Sequence, residues 1–245
     1  VGSLITDRHR LKTPKQSTPA AITKRVTNLV SHFSWKGPVG VGFPGIVRGG
    51  GLILSAANLS DDWVGQDART EFETATGLPF EITNDADAAG IAEMRFGAGR
   101  SIAGAVLLLT LGTGIGSAFF VDGKLVPNTE LGHIELNGEA AERHVSAGVK
   151  EKENLSWRKW ARRLDHYLEQ VHFYLSPDVI VLGGGVSRHH KEFGGDLIWE
   201  IGSGYFGCRR ADGGFDRDQY VQVANDDQVK MIEIKLSQGA KPGHG

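Results

Sequence analysis

A few short stretches of this chain carry residue types that could do chemistry. Asn84 and Asp85 stand where an apolar run gives way to a helical pattern. A carboxylate there can take the proton of an attacking alcohol while the amide holds a neighbouring hydroxyl. The competing reading is helix capping, which Asn and Asp both do well. Glu130 and His133 are three residues apart beside a glycine, a spacing that suits two adjacent hydroxyls, although an exposed turn histidine would look the same. No cysteines follow His133 at zinc-ligand spacing, so the histidine is not read as a metal ligand. Glu142 lies in a polar stretch and alone reads as a solvated residue.

Glycine marks the other candidates. Residues 106–121, VLLLTLGTGIGSAFFV, read as two buried strands joined by a turn containing Gly112, Thr113, Gly114 and Gly116. Glycines at alternate positions permit positive φ and close approach of a ligand. Successive free N–H groups there would make an anion site, with the Thr113 hydroxyl as a further donor. An ordinary glycine hairpin is the alternative. Gly183, Gly184 and Gly185 follow the apolar run Val179-Ile-Val-Leu182, as a nucleotide loop or as a tight turn into a helix. Arg158, Lys159, Arg162 and Arg163 share one helix face, either solvated or a track for a polyanion.

Alternating strands and helices must position these groups, which predicts an α/β fold with largely covered sheets. Leu4-Ile5 read as the second half of a hairpin. Thr18-Pro19 start a helix, with Thr as N-cap and Pro at the first position. Asp61 or Asp62 is expected to cap a second helix that turns Val64, Ala68 and Phe72 inward and stops at Gly77. A short strand, Phe80-Glu-Ile82, delivers Asn84 and Asp85 to a helix ending near Phe96. Gly97-Ala-Gly99 is the expected junction between a smaller lobe, residues 1–99, and a larger one, residues 100–193. Asp122-Gly123 marks a hairpin. The longest helix, residues 155–175, carries an apolar stripe of Trp157, Trp160, Leu164, Leu168, Val171 and Leu175. Residues 194–245 form a tail of little regularity, with strand hints at residues 220–223 and 229–236.

Composition narrows the classes. With 245 residues and a net charge of −2, the chain can bury a sizeable core and shows no basic footprint for nucleic acid. No apolar run approaches a membrane span, and the first residues lack a signal peptide's pattern. A single cysteine, Cys208, excludes an internal disulfide and suits the reducing cytoplasm.

In this order, GVGFPGIV, ANLSDDW, NDADAAG, LGTGIGSA, NTELGHIEL, LSWRKWARRL and SPDVIVLGGGVS resemble the polyphosphate glucokinase branch of the ROK sugar kinases. The resemblance covers roughly residues 4–193. It implies the two-lobed actin-like ATPase (ribonuclease H-like) fold, with Asp85 as general base on the glucose 6-hydroxyl. Asn84, Glu130, His133 and Glu142 would bind the other hydroxyls. Residues 112–116 would hold the phosphates of polyphosphate or ATP, with Mg2+, and residues 183–185 would lie against adenosine. Mannose as a second sugar and a homodimer are left open, and a sugar-binding protein without catalysis is the alternative function. The resemblance also implies an opening strand and a DxGGT-type phosphate loop before residue 1, and a closing helix after Phe193. A fragment, or a gene with a missing first segment and a shifted frame at its end, is the expectation that covers both departures.

Overall fold

The computed structural model describes residues 7–197 and the strand at residues 220–223. The chain divides into two compact units between Ala88 and Ala89. The expectations for Leu4-Ile5 and for residues 229–236 lie outside the described residues.

In the first unit, helix α1 (Pro19–His32) starts as expected: the Thr18 side chain accepts from the Ala21 N–H, and Pro19 needs no partner for an absent N–H. Strand β1 (Val39–Phe43) runs into a hairpin of β2 (Val47–Arg48) and β3 (Leu52–Ile53), where Arg48 pairs with Leu52. Helix α2 (Ala68–Thr76) is capped by Asp67, not by Asp61 or Asp62. Those two acids belong to a single 3-10 turn, residues Asp61–Trp63, itself capped by Ser60. The turn exists because the Trp63 indole is driven inward, where its Nε1–H donates to the Ser17 carbonyl at 3.0 Å. Val64 consequently faces solvent, while Ala68 and Phe72 are buried. Gly77 ends α2 in the left-handed conformation.

Strand β4 (Phe80–Asn84) pairs parallel with β1, setting Phe43 opposite Asn84. Ile22, Val26, Phe43, Trp63, Phe72 and Phe80 form the core over this pair. Helix α3 (Asp85–Phe96) begins at the end of β4.

The division inside α3 corrects the junction expected at residues 97–99. From Ala89 onward the helix packs on the sheet of the second unit, with Ala89, Ile91 and Met94 against Val106, Ala118 and Phe120. At Gly90 a side chain would run into Ala118 and Phe120, so close packing rather than a flexible break lies there.

The second unit is built on β5 (Ala105–Leu111), β6 (Ile115–Val121), β7 (Lys124–Val126), β10 (Val179–Gly183) and β11 (Tyr220–Val223), in the order β11-β10-β5-β6-β7. Strands β10 and β5 are parallel, as are β10 and β11; β5-β6-β7 is an antiparallel meander. The Asp122-Gly123 turn joins β6 to β7 with both residues at positive φ, 49° and 75°. A small hairpin of β8 (Glu135–Leu136) and β9 (Glu139–Ala140) leads to α4 (Glu142–Val145) and α5 (Ala147–Lys152).

Helix α6 (Trp157–Leu175) buries Trp160, Leu164, Tyr167, Leu168 and Val171 against one sheet face. The Trp160 Nε1–H donates to the Val145 carbonyl at 2.7 Å, and the Arg163 guanidinium to the His144 carbonyl at 3.2 Å, so α6 braces α4. A short α7 (His190–Phe193) follows β10 through a 3-10 turn, Gly185–His189. The strand at residues 220–223 was legible in the tail and adds an edge to β10. No described helix is long and apolar enough to cross a membrane.

Candidate active site

Two glycine stretches meet in the second unit. Strands β5 and β10 are parallel neighbours, with Thr110 paired to Gly183, so both end at the same edge of the sheet. In open α/β sheets ligands sit outside such carboxyl ends. Gly184 takes φ +81°, and any Cβ there would stand 2.7 Å from the Leu111 carbonyl oxygen. Only glycine lets the loop after β10 lie this close to the end of β5. Ser187 then ties the loop to itself, its Oγ–H donating to the Gly184 carbonyl at 2.8 Å.

The turn after β5 is tighter than the sequence suggests. Leu111 pairs with Ile115, so residues 112–114 make the connection and Gly116 is a strand residue opposite Thr110. Gly112 N–H donates to the Gly114 carbonyl at 3.0 Å. The left-handed conformation expected of these glycines is not used at Gly112 or Gly114. What Gly114 supplies is space: a Cβ there would meet the Glu142 carboxylate at 2.6 Å. Glu142 opens α4 and turns back on the glycine turn, its Oε2 3.5 Å from the Ile115 nitrogen. It is half-buried, not the solvated residue its neighbours suggest. From the other side, Gly148 N–H donates to the Gly112 carbonyl at 3.1 Å.

Glu130 and His133 bracket a 3-10 turn, Leu131–His133, in which the His133 N–H donates to the Glu130 carbonyl at 3.0 Å. Their side chains approach to 3.9 Å between His133 Nε2 and Glu130 Oε2, and the imidazole is largely exposed. A half-open carboxylate beside an imidazole offers acceptors and a donor at hydroxyl spacing. This turn lies against β6: Gly132 packs on the Ile115 carbonyl so closely that no side chain would fit.

Asn84 and Asp85 belong to the first unit. Asn84 is buried and is the N-cap of α3, its Oδ1 accepting from the N–H groups of Ala86 at 2.8 Å and Asp87 at 3.1 Å. Its Nδ2 donates to the Gly45 carbonyl at 3.0 Å. Gly45 is itself forced, since a Cβ at its φ of +156° would strike the Ser55 carbonyl. Asp85, the first helical residue, is half-buried, with Oδ1 2.9 Å from the Ala86 nitrogen. Gly42 lies against its Cα and Cβ. The capping that the sequence left shared between two residues therefore falls chiefly to Asn84.

Sequence reading missed Ser117 and Thr129, which bond the 129–133 loop to β6. The available signal was a lone hydroxyl residue inside an apolar strand, which is costly unless bonded.

Against known proteins, the ROK family model matches residues 3–149. The chain belongs to the ROK family. It is 44% identical over 189 residues to the polyphosphate glucokinase of Mycobacterium leprae and 45% identical over 188 residues to that of Mycobacterium tuberculosis. Those alignments cover 77% and 76% of this chain; they span 58% of the first relative and 71% of the second. The crystal structure of the inorganic polyphosphate/ATP-glucomannokinase from Arthrobacter sp. strain KM superposes with a TM-score of 0.77 at 39% identity, covering 91% of this chain and 83% of that one. The fold is the actin-like α/β fold of ROK sugar kinases, as the motifs implied.

The tail has a different likeness. Residues 182–245 match a conserved region in glutamate synthase. Over 62 residues the chain is 42% identical to the glutamate synthase large subunit-like protein YerD of Bacillus subtilis, covering 25% of this chain and 12% of that protein. A frame-shifted stretch would resemble no protein at this level, so the expectation of a shifted frame is withdrawn. Residue 182 lies within β10, so the segment alike to glutamate synthase begins inside the sheet and includes β11.

Proposed function

We propose that the chain transfers a phosphoryl group from inorganic polyphosphate or ATP to the 6-hydroxyl of glucose. The observation that carries the reading is the meeting of two glycine stretches at the ends of β5 and β10, with the Glu130 and His133 pair on a turn packed against β6. The likeness to polyphosphate glucokinases supports it independently.

In this reading the 112–114 turn and the Thr113 hydroxyl hold donor phosphates, and residues 183–185 lie against the nucleoside when ATP is the donor. Glu130 and His133 bind adjacent sugar hydroxyls, with Glu142 completing the set from the side of the turn. Asn84 keeps at most one amide proton for a sugar contact, since the other goes to Gly45. Asp85 takes the proton as the sugar oxygen bonds to phosphorus and the donor's bridging P–O bond breaks.

No group of three or more His, Cys, Asp or Glu among the described residues could cage a metal ion. Magnesium keeps most of its waters and binds mainly to phosphates, so it is proposed to enter with the donor. The low cysteine count supports a cytoplasmic setting. Mannose is the second sugar to test, because the Arthrobacter protein is a glucomannokinase.

The test is glucose binding by calorimetry alongside glucose 6-phosphate formation with each donor. Product is expected from at least one donor, and His133→Ala should act mainly through glucose affinity. Glucose bound without product from either donor would replace the kinase reading with sugar binding alone. A chain that binds no glucose would overturn both.

A further inference from the structure

We infer that Ser117 is a positioning residue that fixes Glu130 and His133 relative to the glycine turn. This rests on the kinase reading, in which that loop receives the sugar and that turn the phosphates.

Ser117 is 2% exposed in a strand whose neighbours Ala118 and Phe120 are core residues. A hydroxyl at such a place costs stability unless it is bonded on both sides. Here it is. The Ser117 Oγ–H donates to the Thr129 carbonyl, and the same oxygen accepts from the Leu131 N–H at 3.0 Å. Thr129 returns the contact, its Oγ1–H donating to the Ser117 carbonyl at 3.1 Å. Two residues earlier, the Ile115 carbonyl lies against Gly132.

The loop is thus fastened on either side of Glu130 and again immediately before His133. Both fasteners belong to β6, whose first residues leave the glycine turn directly. Glu130 sits between Thr129 and Leu131, the two residues that Ser117 binds, so its backbone cannot shift without breaking one of those bonds. The spacing between the hydroxyl-binding pair and the phosphate turn is therefore set by a side chain that touches neither ligand. Phosphoryl transfer depends on that kind of spacing more than on added contacts.

The experiment compares Ser117→Ala, Thr129→Val and Thr129→Ser with the wild-type chain, measuring glucose affinity, tripolyphosphate affinity and turnover. Ser117→Ala and Thr129→Val are each expected to weaken glucose binding by about tenfold with tripolyphosphate affinity unchanged. At saturating glucose, kcat should fall as well, by about tenfold or more, because bound glucose then lies displaced from the donor phosphate. Thr129→Ser keeps the hydroxyl and should restore wild-type affinity. The double variant should be worse than either single one, since Ser117→Ala removes the bonds to the Thr129 carbonyl and the Leu131 N–H, and Thr129→Val removes the separate bond to the Ser117 carbonyl.

A merely structural role would lower the melting temperature and leave glucose affinity alone, which would overturn the inference. If Ser117→Ala does not fold, the half-buried Thr129 pair carries the same comparison. A wild-type chain that binds glucose no better than Thr129→Val overturns the positioning role only. One that binds no glucose overturns the kinase reading, and the positioning role with it.

Discussion

The Glu142 carboxylate stands against the glycine turn, with Oε2 3.5 Å from the Ile115 nitrogen and in the space a side chain at Gly114 would occupy. A negative charge is therefore already beside the turn proposed to hold phosphate. Two like charges a few ångströms apart near a protein surface repel by a few kcal/mol at most. A charge-assisted hydrogen bond to a sugar hydroxyl, by contrast, is about twice as strong as a neutral one. Glu142→Gln keeps shape and an acceptor oxygen but removes the charge. The variant should bind tripolyphosphate several-fold more tightly and glucose several-fold more weakly, as two separate calorimetric titrations. Changes of the same sign in both would mean that Glu142 acts only on the shape of the turn.

Much of this arrangement was legible because its causes are local. The Thr18-Pro19 helix start, the Gly77 stop and the Asp122-Gly123 hairpin follow from backbone preferences of the residues themselves. The apolar stripe of α6 was readable from its spacing for the same reason. What was not legible depends on partners distant in sequence. Asp67 displaced Asp61 and Asp62 as the cap of α2 because Trp63 is held by Ser17, 46 residues away. Gly114 and Gly184 look like conformational glycines, yet Gly114 is required by Glu142 and Gly184 also by the backbone of Leu111. The break expected at residues 97–99 falls earlier, inside α3, because Ala89, Ile91 and Met94 pack on the sheet of the second unit.

Tyr167 offers a test of the core. It is fully buried on α6, and its hydroxyl has no hydrogen-bond partner among the described residues. Burial pushes its pKa well up, so the group stays a neutral phenol at any working pH. An unsatisfied buried hydroxyl costs about 1–3 kcal/mol. Tyr167→Phe removes that atom without opening a cavity of consequence. The variant should be more stable by about 1 kcal/mol in chemical denaturation, with an unchanged m-value. A loss of stability would reveal a partner that the hydroxyl finds in solution.

His172, one turn before the end of α6, gives a pH dependence. Burial lowers its pKa below the ordinary histidine value, because desolvation disfavours the charged ring. The unfolded chain therefore binds a proton there more readily than the folded one. Stability should rise with pH through the window below about 6.5 and fall as acid is added, levelling once the folded ring also protonates. His172→Gln should flatten this slope relative to wild type in denaturant melts taken between about pH 5 and 7. An identical slope in the variant would place the titrating group elsewhere.

Capping and catalysis at the start of α3 can be separated, because the structure gives most of the capping to one residue. Asn84 accepts from the Ala86 and Asp87 N–H groups and donates to Gly45, so Asn84→Ala should cost about 1–2 kcal/mol of stability. Asp85 carries little of that burden. Asp85→Asn keeps its size and its reach to the Ala86 nitrogen, and should change stability by no more than about 0.5 kcal/mol. If Asp85 takes the proton of the attacking hydroxyl, the same substitution removes about 10²- to 10⁴-fold from kcat, roughly 3–5 kcal/mol of barrier. The two effects differ enough that no plausible shift in folded fraction could mimic the loss. Denaturant melts, glucose titration and turnover on one preparation decide the matter. The expected pattern is near-wild-type stability, retained glucose binding and collapsed turnover with both donors. Unchanged turnover in Asp85→Asn would leave the carboxylate as a favourable charge at a helix N-terminus and send the search for the base elsewhere.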